Sequence, residues 1–217
     1  MKDNILCQNR GMPPEPTPAR PYRGIPQDER RAQRRAQLIS AGVAVYGERG
    51  YRQATVKAVC EAASLTERYF YESFANSEEL LIACFNAVTY AVMEEIMAAA
   101  RAAGPDRAAR SRAMLHAYFA ALQREPRSAR VFLVEIRGVS RAVDKAFDAA
   151  LRAIGEEVGR VIESPAASDP LLQAGIVGGV IHIALRWIED GYTPDIERVT
   201  DSGLRLGMML DQPLRPA

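Results

Sequence analysis

Apolar residues recur in a helical rhythm from Ile39 to Leu210. Ile39, Val43 and Tyr46 fall at i, i+4 and i+7, which predicts a helix, ending near Gly50, whose apolar face packs on two short helices that follow. Val56, Val59 and Cys60 mark the first of these. Ala62 to Leu65 interrupt the rhythm, and Thr66 reads as the N-cap of the second, with Phe70 and Phe74 inward and Arg68, Tyr69, Tyr71 and Ser73 outward. Two short helices around a tight turn make a helix-turn-helix.

Longer helices follow. Asn76 caps one, with Glu79 reaching back, that runs to about Ala103 and stops at Gly104-Pro105. The next, about Arg107 to Arg124, has Leu115, Phe119 and Leu122 on one face and Met114, Tyr118 and Ala121 on another, so it is centrally buried. Pro126 opens a helix in which Glu135 is the single acid among Val131, Phe132, Leu133, Val134 and Ile136. That carboxylate faces solvent, pairs, or reads a polar ligand group, and exposure is the simplest expectation. An amphipathic helix of about 140 to 163 and a Ser/Pro/Ala-rich loop precede Leu171 to Glu189, the most apolar segment. Gly175 and Gly179 share a face there and allow close helix approach. A last helix from about Asp195 to Leu210 presents Ile196, Val199, Leu206 and Met209. The expectation is an all-α chain of about nine helices.

Upstream, six prolines between Pro13 and Pro26 leave residues 1–26 as an arm outside any core. Asp28 is read as the cap of the first helix, which carries Arg30, Arg31, Arg34 and Arg35 in its first two turns. Cations there oppose the helix dipole, and an anionic partner would offset that cost.

Composition narrows the function. The 217 residues are 48% apolar with a formal net charge of +1, so any nucleic-acid surface is a local patch. Three cysteines without metal spacing suggest a reduced cytoplasmic protein with Cys60 and Cys84 as buried hydrophobes. No apolar run is read as reaching the roughly 18 residues of a membrane span, so no membrane partner is expected. With only His116 and His182, no HExxH, no P-loop and no GxGxxG, an enzyme, a metal site and a cofactor are all disfavoured.

The run from Ile39 through Gly50-Tyr51, Thr55-Val56, Val59, Ala63, Leu65-Thr66, Phe70-Tyr71, Phe74 and Glu79-Leu80-Leu81 resembles the DNA-binding domain of TetR-family transcriptional regulators, over roughly residues 30–85. The resemblance implies a three-helix headpiece (27–75), a helical ligand-binding and dimerisation domain (76–217), and usually repression relieved by a small molecule. Carried onto this sequence, it puts Thr55 and Lys57 at the DNA backbone, Thr66 at the capping position and Tyr71 on a phosphate. Arg68 suits direct readout of guanine, Tyr69 and Ser73 occupy further groove-facing positions, and Arg31 and Arg34 join the contact surface. Three positions depart from the pattern: Ala54 replaces the usual N-cap, Ser64 the turn glycine and Ser77 a phosphate-binding lysine. The last two helices would pair with their copies in a homodimer, with Gly175, Gly179, Ile183, Leu206 and Met209 at the interface. Tyr118, Phe119, Phe132, Glu135, His182 and Trp187 are the expected pocket for a small, mostly apolar effector. The rival reading is a helical ligand-binding or interaction protein whose headpiece no longer binds DNA.

Overall fold

The computed structural model describes residues 26–164 and 168–210. Among them are nine α-helices and no strand, as the periodicity predicts. The arm of residues 1–26 lies outside the described residues but for Pro26.

Helix α1 (Gln27–Arg49) begins at Pro26 with no side-chain cap, so Asp28 sits in the first turn and does not cap it. Gly50 ends the helix at φ 83°, where an L side chain is strained. The stripe that α1 buries is Leu38, Ala41, Val45 and Tyr46, while Ile39 and Val43 are only half-buried. It packs on α2 (Val56–Ala62) and α3 (Glu67–Tyr71) through Val59, Cys60, Phe70 and Phe74. Phe70 is fully buried and tilts against Phe74, with ring centroids 5.8 Å apart.

Helix α4 (Ser77–Ala102) leaves this unit and enters the body. Asn76 accepts from the Glu79 amide, and the Glu79 carboxylate accepts from the Ala75 amide, one residue before the position a standard capping box uses. The helix turns back at Gly104 into α5 (Arg107–Arg124), which lies between α4, α9 and α6, so both of its apolar faces are covered. α6 (Pro126–Arg130) runs into a π-helical segment, Val131–Glu135, whose Val131, Phe132 and Leu133 are buried. α7 (Arg141–Val161), α8 (Pro170–Glu189) and α9 (Ile196–Leu210) complete the body.

The expectation about apolar runs needs correction. α4 and α8 are both long and apolar enough to cross a membrane by length and composition alone. For α4 the cause is core packing, since Leu80, Leu81, Cys84 and Phe85 are fully buried. α8 is different: only 11% of its apolar window is buried, and Leu171 at its start is 84% exposed.

Cys60 and Cys84 are free and buried. Burial pushes the Cys84 thiol up to about 12 and raises that of Cys60 as well. Thiolate is the reacting form, so at pH 8 both should alkylate with iodoacetamide far more slowly in the native protein than after urea unfolding. Peptide mass mapping would show it, and equal rates would contradict the packing.

Candidate nucleic-acid interface and ligand cavity

The turn between α2 and α3 is built as a helix-turn-helix, with two local differences from expectation. Thr55, one residue after Ala54, is the N-cap of α2 and accepts the Ala58 amide at 3.1 Å, so the helix keeps the cap that Ala54 was expected to cost it. Thr66 is the N-cap of α3 but makes no side-chain cap bond, leaving an exposed hydroxyl at the start of the recognition helix. Ser64 adopts φ 54° in the turn, at a cost on the order of 1 kcal/mol relative to glycine.

Arginines from α1 converge on the far end of α3. Arg31 donates to the Glu72 carbonyl at 2.9 Å, Arg34 lies 3.8 Å from the Glu72 carboxylate and 4.4 Å over the Tyr69 ring, and Arg68 donates to Glu72 at 3.1 Å. Glu72, whose charge would otherwise repel phosphate, is thus neutralised within the unit. Arg34 is only 23% exposed, and Tyr69 is half-buried beneath it, so these two brace α3. The outward groups are Arg68, with its side chain 84% exposed, Lys57 at 75% and Tyr71 at 58%. Ser73 is half-buried at the edge, and Ser77, at the position where the resemblance implies a lysine, faces the Tyr51 hydroxyl at 3.2 Å. The surface can hold an anionic backbone with Thr55, Thr66, Lys57 and Tyr71 while Arg68 reaches a base edge.

Behind this unit the chain is fastened to the body at one corner. Glu135 is not exposed as expected: its side chain is 11% exposed, accepting the Tyr51 amide at 2.7 Å and Arg130 at 2.8 Å. Arg52 donates to the Gly138 carbonyl at 3.1 Å. A Cβ added to Gly47 would lie 2.5 Å from the Arg127 carbonyl oxygen, so α1 and α6 touch backbone to backbone.

The body encloses a cavity of about 600 Å³, within the usual size for small-molecule sites. Its wall is mostly apolar and comes from α4, α5, the π segment, α7, α8 and α9. Of the six pocket residues expected from sequence, Tyr118 and Phe132 line it. Phe119 and Trp187 meet edge to face in the core, with ring centroids 5.6 Å apart, and the Trp187 indole donates to the Pro194 carbonyl. His182 is exposed, and Glu135 serves the fastening just described. The residues missed include Met114 and Leu115, which read from sequence only as core positions, and Met93 and Val177, which no pattern singled out.

The expected interface residues divide. Gly179 packs inside the chain, where an added Cβ would meet Leu206 at 2.5 Å, so that pair builds the α8–α9 hairpin. Gly175 has nothing within 4 Å of an added Cβ, Ile183 is half-buried and Met209 is 73% exposed. His116 faces Glu197 at 3.4 Å on the surface.

A helix-turn-helix unit with an outward arginine is thus joined to an all-helical body around an apolar cavity. Residues 38–84 match the model for bacterial regulatory proteins of the tetR family. That match covers the helix-turn-helix unit and the first turns of α4, and the likeness to the family is shown over those residues. Solved structures agree in fold. The fatty acid degradation regulator FadR of Bacillus halodurans is 20% identical, with a TM-score of 0.69 over 84% of this chain and 96% of that one. FadR of Bacillus subtilis, in complex with stearoyl-CoA, is 19% identical, with a TM-score of 0.68 over 79% and 96%. A TetR-like transcriptional regulator from Rhodococcus sp. RHA1 is 19% identical, with a TM-score of 0.65 over 85% and 97%. No curated protein sequence matches the chain.

Proposed function

We propose that the chain is a ligand-responsive repressor that binds a palindromic operator as a homodimer, with residues 27–75 as headpiece and 76–217 as ligand-binding and dimerisation body. The observation that carries DNA binding is the recognition helix, which presents Arg68 and Tyr71 outward while Glu72 at its C-terminal end is held by Arg31, Arg34 and Arg68 and its other acid, Glu67, is exposed in the first turn. Two such headpieces would sit in successive major grooves about one turn apart. Arg31 and Arg34 are assigned a bracing role, and Thr55, Lys57, Thr66, Tyr71 and Ser73 a backbone role beside the Arg68 readout.

The effector enters the body cavity and favours a headpiece spacing that no longer matches the grooves. Support comes from the apolar wall, from Phe132 at the cavity within the same π segment as Glu135, and from the FadR of B. subtilis, which holds stearoyl-CoA. Dimerisation is assigned to the outer faces of α8 and α9, where Gly175, Leu171 and Met209 are exposed.

The test is retardation of duplex DNA from upstream of the chain's own gene. Arg68→Ala is expected to weaken specific binding by about ten- to a hundredfold, for a lost contact of about 1–3 kcal/mol. Tyr71→Phe removes one phosphate contact and should weaken all duplexes alike by a smaller factor. No retardation of any duplex by the wild-type chain would favour the rival reading, a helical binding protein without a DNA site.

A further inference from the structure

The cavity has polar groups at both ends, but among the described residues only those at the buried end lack a partner. Its exposed end lies at Asp106 and Arg107, where α4 turns into α5. The buried end lies about three helical turns along α5, at Tyr118. Thr89 on α4 and Tyr118 on α5 are nearly equidistant from the Gly104 turn, so antiparallel packing sets them level across the hairpin.

Both carry a buried hydroxyl with no hydrogen-bond partner, and they alone do so among the described residues of the cavity wall. The other polar side chains there are engaged. Asp106 caps α5 by accepting the Ala109 amide, Ser111 donates to the Arg107 carbonyl, and Arg107 and Ser164 have interactions of their own. A buried hydroxyl without a partner is costly, and two at one level of an apolar wall mark a place where a bound molecule supplies the partner. No cation lines that end, since Arg107 at the exposed end is the only basic residue of the described wall. A carboxylate or phosphate seated at Tyr118 would be a buried, unpaired charge.

We propose that the cavity takes a neutral, mainly apolar molecule with a carbonyl or hydroxyl oxygen, bound polar end first, that oxygen meeting the hydroxyls of Thr89 and Tyr118. The inference rests on the body cavity being the effector site. It differs from placing an acyl chain tail-first, which would lay methylenes against two unpaired hydroxyls.

The full-length protein is titrated by calorimetry with 2-nonanone and with nonanoate, which share chain length and differ in charge. The ketone is expected to bind at least about tenfold more tightly than the carboxylate. Tyr118→Phe and Thr89→Val should each weaken the ketone about five- to tenfold, while the melting temperature of the unliganded protein stays level or rises because an unpaired hydroxyl is gone. Ketone affinity unchanged in both variants, tighter binding of nonanoate, or no binding of either probe overturns the proposal. Retardation of duplex DNA, run beside it, separates the two claims. A ketone that binds with these variant effects but leaves DNA bound refutes the effector role and not the ligand class. DNA release by nonanoate or stearoyl-CoA, with no response to the ketone, does the reverse.

Discussion

Gly47→Ala is expected to lower the melting temperature by about 4–8 °C, although alanine is the better helix former. In a free helix the change would stabilise by up to about 1 kcal/mol. Here the new methyl would sit 2.5 Å from the Arg127 carbonyl oxygen and 2.7 Å from its Cα, both backbone atoms. No side chain can swing aside, so α6 must move as a body away from α1. Forced overpacking of this kind costs about 1–3 kcal/mol; against immovable backbone the upper figure applies, which leaves about 2 kcal/mol after the propensity gain, and for a chain of this length each kcal/mol is worth about 2–4 °C. The clash therefore outweighs the propensity gain. Differential scanning calorimetry would decide, and a melting temperature equal to or above the wild-type value would mean that α1 and α6 do not meet as described.

Glu135→Ala is expected to cost about 2–3 kcal/mol and to loosen the headpiece locally. The carboxylate is mostly buried and holds two donors, the Tyr51 amide from the short 3-10 turn after α1 and the Arg130 guanidinium from α6. Its removal leaves a half-buried amide unpaired and a cation without its counter-charge, the costly way to break such a contact. Arg130 is 44% exposed, so water recovers part of its loss and keeps the figure at the lower end of buried ion pairs. Hydrogen exchange offers the sharper readout, because the Tyr51 amide should lose protection while amides in the middle of α4 keep theirs. Unchanged protection at Tyr51 would show that the carboxylate does not fasten the headpiece. Glu135→Gln keeps one acceptor and should fall between wild type and alanine.

These two positions also show where the sequence could be read and where it could not. The helices were legible because each buries a stripe that repeats near 3.6 residues, and their breaks carry Gly50, Gly104-Pro105 and Pro126. Phe70 and Phe74 were placed inward by the same rule. Local chemistry allowed small shifts, as when Thr55 rather than Ala54 provides the cap of α2. Glu135 was misread because its partner, the Tyr51 amide, is 84 residues upstream, a distance that no local pattern carries. The cavity was misread for a related reason. Periodicity says that a face is covered and not whether another side chain or an empty volume covers it, so Met114 and Leu115 passed as core while Phe119 and Trp187, which do fill the core, passed as pocket. Arg68 and Tyr71 were read as outward and are exposed, but Arg34 has turned inward onto Tyr69 and Glu72, which charge alone could not reveal.

The outer side of α8 and α9, with Leu171 at 84% exposure and Met209 at 73%, carries a thermodynamic consequence. Apolar surface of this kind is stabilised when a second copy covers it, and mass action then ties folding to protein concentration. If the proposed homodimer forms there, the melting midpoint should rise as the sample is concentrated and fall on dilution, so variants are compared at one protein concentration.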